Sequence, residues 1–240
     1  MQYLKPSQTE HFNRLYDILS YSHFGCDFSV MGSGKTWVTN AIAFETNLPL
    51  FVIAPRTSLE AWKKVAQHMG VEIAFLSNYE SLRSVKGCQP QHGYLARYDD
   101  NNGNSSFAST QKFKNLVKEG ILLVCDECQK IKNNSAQSRA VRALARTIIG
   151  LGGNSRLLFL SGSPFEESSH ALNFFRTIGF VTHSKLYHIT PDKEIKYLGL
   201  NELIEWLKHY APQETEELII EHSPLDKKSI SNFVFDAFAE

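Results

Sequence analysis

Met31-Gly32-Ser33-Gly34-Lys35-Thr36 is the stretch on which the fold reading turns. Before it, Cys26 to Val30 reads as a short strand. After it, Thr36 to Phe44 reads as a helix. A strand, a glycine-rich turn and a helix in that order make a phosphate loop. The glycines let backbone N–H groups approach phosphate oxygens, and the helix N-terminus adds a partial positive charge. Lys35 can reach β- and γ-phosphates, and the Thr36 hydroxyl can ligate Mg²⁺. The strict pattern has glycine five residues before Gly34, where this chain has Ser29.

A second element supports the first. Ile121 to Cys125 is the most strand-like run in the chain, and Asp126-Glu127-Cys128 follows it directly. A hydrophobic strand ending in two acids delivers carboxylates to the C-terminal edge of a sheet, where open α/β folds bind ligands. Asp126 is placed to hold Mg²⁺ through water, and Glu127 to orient or deprotonate an attacking water. Cys125 and Cys128 read as small apolar residues around the pair, because no second Cys/His pair at zinc-site spacing lies nearby.

Working outward, residues 7–20 read as a helix capped by Ser7, with Glu10 completing a capping box. Leu48 to Ala54 reads as a buried parallel strand. Leu59 to Met69 reads as a helix closed by Gly70. Val71 to Leu76 reads as a strand, and polar residues 84–110 as a loop or partly disordered insertion. Phe113 to Glu119 and Ala136 to Ile149 read as helices, Arg156 to Ser161 as a strand, and 169–178 and 200–210 as helices. Strands alternating with helices imply an α/β fold, a mainly parallel sheet with helices on both faces.

The chain has 240 residues, of which 42% are apolar and 21% charged, so it is neither disordered nor fibrous. The 25 basic and 25 acidic residues cancel, which excludes a polybasic tail. Residues 1–180 nevertheless hold 19 Lys+Arg against 14 Asp+Glu, and residues 181–240 hold 6 against 11. From Lys130 to Arg156 six basic residues face no acid, which reads as a solvated helix face or a phosphate-contacting edge. Four cysteines and the lack of a secretory apolar segment point to a reducing, intracellular setting, cytoplasm or nucleus. No apolar run reaches membrane-spanning length.

The order of motifs resembles the first RecA-like, P-loop lobe of superfamily 2 helicases and translocases, closest to the Swi/Snf-type branch of these DEAD/DEAH-box-like proteins. Leu4-Lys5-Pro6-Ser7-Gln8 resembles that branch's opening motif, and MGSGKT resembles motif I. Ile53-Ala54-Pro55-Arg56-Thr57-Ser58-Leu59 with Trp62 is similar to motif Ia. Leu76-Ser77-Asn78-Tyr79-Glu80-Ser81-Leu82 is similar to the segment near motif Ib. Asp126-Glu127-Cys128-Gln129 with Lys130-Ile131-Lys132-Asn133 resembles motif II, and Leu160-Ser161-Gly162-Ser163-Pro164 resembles motif III. Gln129 stands where the family usually has His. Nothing after residue 181 resembles motifs IV to VI.

The resemblance implies an ATP hydrolase that couples turnover to movement along DNA or RNA, with ATP and Mg²⁺ as cofactors. Gln8 would read adenine. Gly32, Ser33, Gly34, Lys35 and Thr36 would hold phosphate. Thr36 and Asp126 would hold the metal. Lys35, Asp126, Glu127 and Gln129 would carry catalysis, with Gln129 and Ser161 sensing the γ-phosphate. Arg56, Thr57, Ser58, Asn78 and Tyr79 would grip the backbone of DNA, double-stranded DNA being favoured, or of RNA. Trp62 reads as core. Residues 1–181 would form the lobe, and 182–240 an acidic helical extension or the opening of a linker to a second RecA-like lobe, supplied in cis or in trans. The competing readings are a nucleotide-dependent binding module with little turnover, and another P-loop ATPase such as a loader or packaging motor.

Overall fold

The computed structural model describes residues 3–101, 104–226 and 228–239. The chain forms two compact units, Met1–Pro164 and Phe165–Glu240.

In chain order the first unit contains α1 (Pro6–Tyr21), β1 (Phe24–Asp27), α2 (Lys35–Thr46), β2 (Leu50–Ile53), α3 (Leu59–Met69), β3 (Ile73–Ser77) and α4 (Tyr79–Arg83). It continues with β4 (Leu95–Asp99), β5 (Ser105–Ser109), α5 (Gln111–Glu119), β6 (Leu122–Asp126), a 3₁₀ turn (Cys128–Ile131), α6 (Ala136–Leu151) and β7 (Arg156–Leu160). Five strands form one parallel sheet in the order β1-β7-β6-β2-β3.

Burial follows strand position. Leu50, Phe51, Val52 and Ile53 in β2 and Leu122, Leu123 and Val124 in β6 are all 0% exposed, as central strands covered on both faces require. Each such side chain contributes about 1.5–3 kcal/mol through burial. One face packs Leu50, Val52, Leu122, Val124, Leu158 and Leu160 against α1, α2 and α3. On the other, Phe51 meets Phe113 of α5 edge to face at 5.4 Å. The sheet therefore has helices on both sides.

Three local expectations change. The first helix begins at Pro6 with Lys5 as its N-cap, not at the cap Ser7. Proline at the first helical position needs no N–H there, and the Gln8 Oε1 accepts a bond from the Lys5 N–H at 2.9 Å. The first strand ends at Asp27, so Phe28 to Val30 already belong to the loop. The polar insertion, read as loop or disorder, holds an antiparallel hairpin in which Leu95 pairs with Ser109 and Asp99 with Ser105. Asn102 and Gly103 at its tip lie outside the described residues. Arg97 is only 5% exposed there, yet all three of its nitrogens donate, to Asp99, Ser105 and the carbonyls of Arg83 and Ser84. Its polarity is satisfied internally, which composition alone does not reveal.

The second unit contains α7 (Ser168–Ile178), β8 (His188–Ile189), β9 (Ile195–Lys196), α8 (Leu198–Tyr210), α9 (Pro212–Glu221) and α10 (Ile230–Ala239). Phe174, Phe175, Leu200, Leu203, Phe233 and Val234 are among its buried residues. No helix among the described residues is long and apolar enough to cross a membrane.

Candidate nucleotide site

The turn between β1 and α2 depends on two glycines. Gly32 at φ +82° and Gly34 at φ +92° lie in the left-handed region, where a side chain is strained. At Gly34 a Cβ would also fall 2.0 Å from Gln8 Nε2. Gln8 thus lies against the loop, its amide 3.5 Å from the Ser33 carbonyl. A pair between half-buried His11 and buried Asp27 ties down the helix that carries Gln8. His11 Nε2 lies 3.0 Å from Oδ1 of Asp27, which is 2% exposed at the end of β1.

Ser29, in the place of the strict pattern's glycine, ties the loop across itself. Its hydroxyl lies 2.7 Å from that of Ser33, and its N–H donates to Asp27 Oδ1 at 3.1 Å. Lys35 Nζ folds back on the loop and donates to the carbonyls of Ser29 (2.6 Å) and Val30 (3.0 Å).

Asp126 ends β6 and is 9% exposed. Burial pushes its carboxyl above the usual carboxylate range, a shift opposed by the Trp62 hydrogen bond and reinforced by the Glu127 charge. Trp62 Nε1 donates to Asp126 Oδ2 at 2.9 Å, and the Tyr79 hydroxyl donates to the Asp126 carbonyl at 2.7 Å. Glu127 follows in a left-handed conformation, φ 52° and ψ 53°. Gln129 Nε2 donates to Glu127 Oε2 at 2.5 Å, and the Gln129 Oε1 accepts from the Ser161 hydroxyl at 2.7 Å. The Ser161 oxygen accepts in turn from the Ser163 N–H at 3.1 Å. Cys125 and Cys128 are buried, and desolvation pushes both thiols up.

A cavity of about 700 Å³ joins these parts. Gln8, Gly32, Gly34, Lys35 and Thr36 line it from one side, and Ser58, Asp126 and Glu127 from another. That volume suits a nucleotide-sized ligand. Gln129 and Ser161 stand behind Glu127, joined to it by the hydrogen bonds above. The Ser33 hydroxyl is held by Ser29. Arg56 and Thr57 are exposed beyond the end of β2, and half-buried Asn78 caps α4 by accepting from the Ser81 N–H at 2.8 Å. Tyr79 does not face this rim: it is 1% exposed, because its ring fills the core below.

The basic run from Lys130 to Arg156 does not form one stripe. Arg139 donates to the Ser105 carbonyl at 2.5 Å. Arg156 donates to the carbonyls of Leu19 (2.6 Å) and Gly153 (2.8 Å) at the opposite end of the strands from the cavity. Sequence reading missed Tyr3, Lys5 and Trp37 as lining residues, and missed the polar bond of Trp62, whose partner lies 64 positions away.

No protein-family model matches the chain. Over 192 residues the chain is 23% identical to a protein of Acanthamoeba polyphaga mimivirus that is provisionally named an ATP-dependent RNA helicase. The match covers 77% of this chain and 35% of that protein, so the chain spans about a third of the relative's length.

Proposed function

We propose that this chain carries the ATP-binding lobe of a nucleic-acid-dependent ATPase, one that couples hydrolysis to movement along the polymer. One observation carries the reading. Two segments far apart in sequence, the glycine loop with Lys35 and Thr36 and the strand end with Asp126 and Glu127, meet in one cavity. The relative's printed name and the motif order support the same class.

In this reading Lys35 leaves the Ser29 and Val30 carbonyls for the β- and γ-phosphate oxygens. The N–H groups at the start of α2 hold the phosphates. Gln8, fixed beside Gly34, reads the adenine. The donor set fits Mg²⁺: the Thr36 hydroxyl and the Asp126 carboxylate are hard oxygen ligands lining one cavity, with room for water and phosphate oxygens. Thr36 and Asp126 would hold that ion, which supplies charge neutralisation at the phosphates. Glu127 orients the attacking water and takes its proton. Gln129 and Ser161 hold Glu127 to the end of β7. Arg56, Thr57, Ser58 and Asn78 grip the polymer by its phosphates, a feature DNA and RNA share.

The test compares the parent with Lys35→Ala. Binding of a Mg²⁺-loaded ATP analogue should weaken at least about tenfold, and polynucleotide-stimulated phosphate release should be lost, while the fold persists because Lys35 bonds only loop carbonyls. A parent that binds no nucleotide, or a variant with unchanged affinity, overturns the reading.

A further inference from the structure

Two buried side chains lead from the rim to the acid. Trp62 is 0% exposed and lies in the first turn of α3, immediately after Arg56, Thr57 and Ser58; its N–H bonds the Ser58 carbonyl at 3.1 Å. Its indole donates to the Asp126 carboxylate. Tyr79, 1% exposed, opens α4 directly after Asn78, and its hydroxyl donates to the Asp126 carbonyl. Buried Trp and Tyr polar ends ordinarily take whatever partner is near. Here both take the same residue, one through the side chain and one through the main chain. Each starts within four residues of an exposed or half-buried polar group on a different rim loop. A bond to a carboxylate is also shorter and stronger than one between neutral groups. A shift in the first turn of α3 or α4 therefore acts on the Asp126 oxygens through a single side chain.

We propose that Trp62 and Tyr79 are positioning residues that orient Asp126 and tie it to the two rim loops, so that polynucleotide on the rim and Mg²⁺·ATP in the cavity strengthen each other's binding. The proposal rests on the ATPase reading above. It assigns coupling to two residues that touch neither ligand.

The experiment uses the full chain as parent, Trp62→Phe and Tyr79→Phe. The affinity of a Mg²⁺-loaded, non-hydrolysable ATP analogue is measured with and without saturating polynucleotide, once with duplex DNA and once with RNA. The ratio is the coupling factor, and linkage requires the same factor for polynucleotide affinity with and without the analogue. The parent should show a factor of about five or more with one of the two polymers, within the usual range for coupled sites. Either variant should bring it below about two, with each ligand's affinity alone changed by far less than the coupling lost. A purely structural role would lower the thermal midpoint and leave the factor intact, which overturns the proposal. A parent that binds both ligands independently also overturns it. A parent that binds no analogue overturns the ATPase reading itself, a separate and recognisable failure. Should Trp62→Phe fail to fold, Tyr79→Phe decides alone, since it removes a single oxygen from a packed ring.

Discussion

Glu127 adopts a left-handed backbone at φ 52°, a conformation that costs a residue other than glycine roughly 1 kcal/mol or more. It is held there between the last hydrogen bonds of β6 and the 3₁₀ turn that follows. The kink lets Asp126 point inward to Trp62 while Glu127 is presented to the cavity. The two acids should therefore separate in function. Glu127→Gln should keep analogue affinity and slow single-turnover hydrolysis by about 10² or more, since it removes the base and leaves the metal ligand. Rapid-quench kinetics beside a binding titration would show the split, and loss of binding with turnover retained would reverse the assignment. On the rim, Arg56→Ala should weaken polynucleotide binding by a similar factor for every sequence and reduce the salt slope by about one unit, as for a single phosphate contact. An unchanged slope would mean that Arg56 takes no part in the grip. At this scale the glycine turn between a strand and a helix, and the two acids at a strand end, were legible as local structure because neighbouring residues define them. Trp62 was read as core, and it is buried. Its hydrogen bond was not legible, because the partner is set by sheet order and not by spacing.

Elements were legible where apolar pattern and end signals agreed. The Leu50–Ile53 strand falls inside a near-continuous apolar run, the Leu122–Asp126 strand runs one residue past another, and Gly70 closes α3 at φ +69° as its position suggested. The β4–β5 hairpin was not legible, because serines and an arginine carry its alternation and Arg97 is satisfied only once the chain is folded. A second element held by polar groups gives a stability test. Glu202 in α8 accepts from the Thr182 N–H at 2.9 Å and lies 2.8 Å from His183 Nδ1. Burial alone would raise its carboxyl, but these bonds, led by the Thr182 hydroxyl, outweigh it and lower the value to about 2. A depressed carboxyl stabilises the fold above its ordinary value of about 4.5 and loses that contribution as pH falls toward 2. Glu202→Gln should thus be less stable than the parent by about 1–3 kcal/mol at neutral pH. In urea titrations the difference should shrink steadily below about pH 4. A difference independent of pH would assign the effect to packing.

At the scale of the molecule, every residue proposed for nucleotide or polymer, from Gln8 to Ser161, falls within Met1–Pro164. A fragment of residues 1–164 should accordingly fold cooperatively and bind the Mg²⁺-loaded analogue as the whole chain does. Calorimetry of the fragment with and without analogue would check it, and a fragment that gives no unfolding transition would show that this unit does not stand alone. Sheet order has a further consequence, for synthesis. Among the described residues β1, which leads into the glycine loop, hydrogen-bonds only to β7, and Asp27 pairs with Leu160. The ribosome makes the loop early and the strand that supports it roughly 130 residues later. At roughly 5–20 residues per second that is a wait of roughly 7–27 s, during which β1 is an unpaired edge open to association with other nascent chains. A message cut between the codons for Glu127 and Arg156 would still encode both the glycine loop and the acid pair, but its product would have no partner strand to hold the loop in place.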